Sequence, residues 1–208
     1  MCGKKPDFKD QNLLERTRRQ KIRMPTYIAM LRGINVSGHK IIKMEDLRKS
    51  FETIGFRQVK TYVQSGNVIF EAGKNPVAAL CDQIRKRLSS DFGFEVPVLL
   101  KTSKELERVI HDNPFLKAAA IDHSKLHVTF LSKAAPITAK KDLEKLIVNG
   151  EHFHVKGQEI YLYCPNGYGR TKISNTAIEK KLEVEATTRS WKSVNALLGS
   201  AHQINARD

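Results

Sequence analysis

The chain has 208 residues, 40% hydrophobic and 28% charged, and its 36 Lys plus Arg against 22 Asp plus Glu give a formal net charge of +14. That apolar share can pack one large domain or two small ones, and the cationic excess favours a soluble monomer attracted to nucleic acid or other phosphate-bearing ligands. The three cysteines, widely spaced, exclude a disulfide framework or a Cys-based zinc set and fit the reducing cytoplasm, while every apolar run falls well short of the ~18 residues needed to span a bilayer.

Residues 1–23 hold eight cations and three acids and no sustained apolar stripe. They read either as a mobile basic arm or as an artefact preceding a start at Met24, and no secretory apolar segment is present. Regular patterning begins at Thr26. Residues 26–32 form a strand with apolar groups on both faces. Met44, Leu47, Phe51 and Ile54 repeat at helical spacing up to a stop at Gly55. Residues 59–64 and 67–71 alternate as the strands of a hairpin around Ser65-Gly66. Pro76 opens a helix carrying Val77, Leu80, Ile84 and Leu88, Gly93 ends it, and 96–101 makes a further strand. The order over 24–101 is βαββαβ.

Residues 102–124 read as a linker, with a helix capped at Thr102 or Ser103 and broken by Asn113-Pro114. The order then recurs over 125–200: a strand at 125–131, a helix at 138–147, a hairpin from 151–155 and 159–164 around Lys156-Gly157-Gln158, a helix at 171–182, a short strand at 185–188 and a closing helix at 191–198. Residues 201–208 are left as a tail. The expected fold is α+β, with two tandem ferredoxin-like domains related by duplication.

In the second domain, alternation assigns Leu126, Val128, Phe130, Phe153, Val155, Ile160 and Leu162 to the core face. His127, Thr129, His152, His154, Tyr161 and Tyr163 take the opposite one. Such rings could stack bases, but the RNP1 pattern is missing and packing against the first domain is the favoured reading. The first sheet is apolar on its second face in either register. It needs a cover: the helix at 102–112, the closing helix with Trp191, or the other sheet.

Two loops concentrate polar and cationic groups after apolar strands, Leu31-Arg32-Gly33-Ile34-Asn35-Val36 and Pro165-Asn166-Gly167-Tyr168-Gly169-Arg170-Thr171-Lys172. Glycine permits close backbone approach and arginine offers a fixed planar donor fork, a combination suited to an anion. Gly169-Arg170-Thr171-Lys172 running into a helix would place free N–H groups at a phosphate, although it lacks the P-loop spacing. The candidate ligand-binding residues are Arg32, Asn35, Gln64, Ser65, Asn67, Asn166, Tyr168, Arg170, Lys172, Arg189 and Trp191. His39 and Tyr168 are the proton-transfer candidates, and Cys164 is the thiol nearest the site. His152 and His154 lack a third ligand at a diagnostic spacing, so no metal is expected, and nothing points to a cofactor.

The segments LRGINVSGHKIIKMEDLR, TYVQSGNVIF, YLYCPNGYGRTKISN and ATTRSW together resemble the bacterial family known as domain of unknown function 1697, over about residues 26–198. The resemblance implies the same duplicated ferredoxin-like architecture and no activity. Ser37 stands where the family motif usually has glycine, and Ser190 where it has asparagine. Three readings remain. In the first, the protein binds nucleic acid or a phosphorylated small molecule between its domains, Arg32, Arg170, Lys172 and Arg189 holding phosphate while Tyr168 or Trp191 stacks. In the second it is an enzyme on a small phosphorylated or carboxylated substrate. In the third the motifs only dock the domains. The first two require the two loops to converge on one cleft.

Overall fold

The computed structural model describes residues 24–117, 121–148 and 150–206; the expected arm at 1–23 lies outside the described residues. Among these, the chain forms two four-stranded antiparallel sheets and six α-helices. The first sheet is built from β1 (Thr26–Leu31), β2 (Arg57–Tyr62), β3 (Asn67–Glu71) and β4 (Val98–Thr102), in the order β2-β3-β1-β4. Helices α1 (Met44–Thr53) and α2 (Val77–Phe92) connect its strands, and α3 (Ser103–His111) follows. The second sheet holds β5 (Leu126–Leu131), β6 (His152–Lys156), β7 (Glu159–Tyr163) and β8 (Ala186–Ser190), in the order β6-β7-β5-β8. Its helices are α4 (Ala139–Glu144) and α5 (Asn175–Leu182), and α6 (Trp191–Asn205) closes the fold.

Local chemistry sets these boundaries. Gly93 ends α2 in a left-handed conformation, φ 75°, with its N–H on the Ser89 carbonyl, a geometry glycine adopts without a Cβ penalty. Thr102 starts α3 through a capping box: its hydroxyl accepts from the Glu105 N–H while the Glu105 carboxylate accepts from the Thr102 N–H. Ser174 caps α5 by accepting from the Ala177 N–H. That helix therefore begins four residues later than expected, and Tyr168–Arg170 is a 3-10 turn outside it.

Three apolar layers hold the elements. Tyr27, Ala29 and Leu31 pack with Leu47, Phe51, Leu80 and Ile84 on the helix side of the first sheet. Ile160, Leu162, Ile178 and Leu182 form the helix-side core of the second. Between the sheets lies a shared core. There Ile28, Met30, Ile69 and Leu99 meet Leu106 and Val109 of α3, then Trp191, Val194, Leu197, Ala201 and Ile204 of α6, and finally Leu126, Val128, Phe130 and Tyr161 of the second sheet. All three expected covers of the first sheet are used together.

One face assignment is corrected. The register pairs Leu126 with Tyr163 and Val128 with Tyr161, so Leu126, Val128 and Phe130 share the inter-sheet face with those tyrosines and not with Ile160 and Leu162. The reason is that β5 is a central strand buried on both sides, so its apolar alternation points to the other sheet and not to the helices. The closing helix also runs on to Asn205, because Ala201 and Ile204 continue its buried stripe; 201–205 belong to it and not to a tail.

Candidate functional site

The first loop is held in shape by Asn35, itself left-handed at φ 53°. Its amide donates to the carbonyls of Ile42 (3.0 Å) and Gln64 (2.9 Å), and its Oδ1 accepts from the Ile42 N–H at 2.8 Å. This ties residues 33–42 to the β2–β3 turn. Gly66 makes the approach possible: a Cβ there would lie 2.7 Å from Ile34 Cδ1 and 2.8 Å from Leu31 Cβ. Asn67 is fully buried, its amide on the Tyr62 carbonyl and the Ser65 hydroxyl.

The second loop folds against the helix side of the second sheet. Tyr168 donates its phenol to Thr188 Oγ1 at 2.9 Å, and Thr188 donates to Asn175 Oδ1 at 2.7 Å. Thr129, 2.7 Å away, completes the relay by donating to Thr188. The His127 ring stacks on Tyr168 with centroids 5.0 Å apart. Burial raises the Tyr168 phenol pKa above its ordinary value and lowers that of the His127 imidazole.

The first loop meets the second half at α5 and β8. Arg32 reaches across to α5, where Nε and Nη2 lie 3.1 Å from the two carboxylate oxygens of Glu179. Arg189 is 7% exposed and has no carboxylate partner among the described residues. Its Nε donates to Asn67 Oδ1 at 2.5 Å, Nη1 to Thr187 Oγ1 and the Thr188 carbonyl, and Nη2 to the carbonyls of Leu31 and Ser65. Each of its N–H donors is engaged, and the bonds join β8 to β1 and the β2–β3 turn. Burial, with Arg32 nearby, pulls its pKa down to about 10, which leaves it cationic at neutral pH.

The other candidates separate. Trp191 is 8% exposed within the inter-sheet core, so its ring packs apolar side chains and offers no stacking face. Gln64, Ser65 and Asn166 are exposed. Arg170 and Lys172 are exposed too, and their side chains have no hydrogen bond or ion pair among the described residues. Cys164 is 2% exposed, and burial pushes its thiol up to about 12, far from the thiolate a reactive cysteine needs. Among the described residues no cluster could hold a metal ion.

Sequence reasoning missed the acids that receive the interface cations. Arg85 meets Glu185 at 2.6 Å and Lys101 meets Glu159 at 2.7 Å, so in these pairs and in Arg32–Glu179 the first half supplies the cation, whereas the pair of Lys156 with Asp112 runs the other way. No local spacing signals such partners, since they lie far apart along the chain.

The family model described as Protein of unknown function (DUF1697) matches residues 24–161, more than half of the chain. The chain belongs to this family. DUF1697 membership brings no activity with it. Among solved structures, the conserved bacterial protein SP0830 from Streptococcus pneumoniae is similar at 19% identity and a TM-score of 0.68, over 86% of this chain and 99% of that one. A likeness at that identity concerns the fold alone. No curated protein matches the chain in sequence.

Proposed function

We propose that this DUF1697 chain binds an anionic ligand, nucleic acid or a phosphate-bearing metabolite, at the rim of the seam between its halves. The observation that carries this reading is the division of the cations. Arg32 and Arg189 are engaged within the protein, whereas Arg170 and Lys172 stand unpaired among the described residues on the loop after Tyr168. The site moves outward from the one the sequence suggested. Asn35, Ser65, Asn67, Arg189 and Trp191 then serve docking of the two halves, Tyr168 ties the loop to β8, and Gln64 and Asn166 stay exposed. Catalysis is the weaker alternative, since burial moves the Tyr168 phenol away from neutral pH and leaves His39 as the proton carrier on the first loop.

We also infer that each sheet with its helices is a ferredoxin-like unit, over 24–101 and 125–200, and that the pair arose by duplication. The support is the matching strand order and antiparallel pairing of the two sheets. A monomer in a reducing cytoplasm agrees with the high net charge and with Cys81 and Cys164 standing as free thiols.

The test is titration at low salt with short single-stranded RNA, nucleoside phosphates and sugar phosphates. Replacing Arg170 and Lys172 together by Ala should weaken RNA binding and flatten the log K against log salt slope by roughly 0.7 for each phosphate no longer neutralised. Equal binding by the double variant, or no binding by any of these probes, removes the proposal.

A further inference from the structure

Away from the Arg170 loop, the seam holds a cleft of about 500 Å³, within the range of small-ligand pockets. Its walls come from both halves: the carboxyl-terminal part of α2, the segment leading into β4, and Glu185 just before β8. Val96 and Pro97 supply apolar surface, and Ser89 and Ser90 supply hydroxyls. The charged lining is balanced, with Arg85 and Lys86 against Glu95 and Glu185.

The balance is local as well as overall. Arg85 and Glu185 pair at 2.6 Å across the seam, which leaves the exposed Lys86 ammonium and Glu95 carboxylate without a partner among the described residues, while the Lys40 ammonium sits 2.6 Å from the Glu95 main-chain carbonyl. Arg85 is also unlike Arg189. Its Nη2 carries both of its bonds, to Glu185 and the Val98 carbonyl, its Nε–H is buried away from the cleft, and its Nη1 is left without a partner among the described residues. A guanidinium with an unoccupied edge beside a lysine suits a carboxylate. A free carboxylate near the carboxyl end of a long helix suits an ammonium.

We propose that this seam cleft binds a small zwitterion of the α-amino-acid class, with its carboxylate toward Lys86 and Arg85 and its ammonium toward Glu95. Such a ligand would brace the Arg85–Glu185 pair and so couple occupancy to the docking of the two halves. The site shares no residue with the anion site above.

The experiment is calorimetric and NMR titration of the full chain with glycine, L-leucine, L-glutamate and L-lysine, each compared with its N-acetyl and methyl-ester forms. At least one free amino acid should perturb the amides of residues 85–97 and bind at least tenfold more tightly than both blocked forms. Lys86→Met should weaken it at least tenfold, and Glu95→Gln should abolish discrimination against the N-acetyl form; both side chains are exposed, so folding is kept. Arg170→Ala with Lys172→Ala should leave amino-acid binding unchanged whatever the phosphate titrations give. No perturbation by any free amino acid, equal binding of blocked forms, or full affinity in both cleft variants overturns the proposal.

Discussion

A guanidinium in a protein interior is unfavourable unless its donors are met, and Arg189 meets them with carbonyl and side-chain oxygens from both halves of the chain. Arg189→Ala would leave the Leu31, Ser65 and Thr188 carbonyls and the Asn67 amide without their donor in a buried seam. The expected loss is ~3–5 kcal/mol, as for other broken buried charge networks, read from urea unfolding. Arg189→Lys should recover only part of it, because an ammonium cannot span acceptors arranged around a planar fork; a lysine variant as stable as the parent would show that charge and not geometry matters here. His127 makes the pH case. Burial holds its pKa below the ordinary value, so between that lowered value and ~6.5 the unfolded chain binds a proton that the folded chain refuses. The unfolded state then carries more protons, and stability rises with pH across that window. Acidification should therefore cost stability from pH ~6.5 downward until the folded imidazole also titrates. His127→Gln should flatten that limb of the urea midpoint against pH, and identical profiles for the two proteins would assign the limb elsewhere.

At the scale of elements, what was legible in the sequence follows from what is local. The β2–β3 hairpin, the Gly93 stop of α2 and the Thr102 cap of α3 are written in neighbouring residues, and their structure agrees to within a few positions. The start of α5 was not, because Thr171 and Ser174 are both acceptable caps in sequence and only the fold selects Ser174. Nor was the orientation of β5, where both alternating sets are buried. The candidate site divided along the same line: Asn35 and the loop residues were recognisable as polar clusters, but Glu179 and Glu159, which receive the cations, are fixed only by tertiary packing. The end of α6 is the sharpest case. Gly199 interrupts its apolar pattern, yet Ala201 and Ile204 are fully buried and Asn205 Oδ1 accepts from the Thr26 hydroxyl at 2.7 Å. Ile204→Ala should therefore cost ~2–5 kcal/mol, the range for emptying a packed aliphatic site. Gln203→Ala, on the exposed side of the same turn, should change stability by less than ~0.5 kcal/mol. Comparable effects at the two positions in urea unfolding would mean that the helix end frays.

For the whole molecule, the deciding feature is that the core between the sheets belongs to neither half. Without its partner, residues 24–117 would keep only Leu106 and Val109 of α3 over Ile28, Met30, Ile69 and Leu99, and residues 121–206 would expose to water the part of α6 and of Leu126, Val128 and Phe130 that meets the first sheet. A contiguous apolar face of that kind is not sustained by a lone soluble domain. The buried pair of Lys101 and Glu159, 5% and 12% exposed, fixes how the halves dock more than how strongly, since both charges regain water when the halves part. The chain should accordingly unfold in one cooperative transition, with tyrosine and tryptophan fluorescence and far-ultraviolet circular dichroism tracing the same curve. Expressed separately, residues 24–117 and 121–206 should keep secondary structure yet bind ANS and lack near-ultraviolet dichroism, as states without fixed packing do. Mixing them should restore the native spectrum, since the seam supplies what each lacks. Two resolved transitions in the full chain, or a single half with native near-ultraviolet dichroism, would mean that each half carries its own sufficient core and that the Arg189 bonds join units already folded.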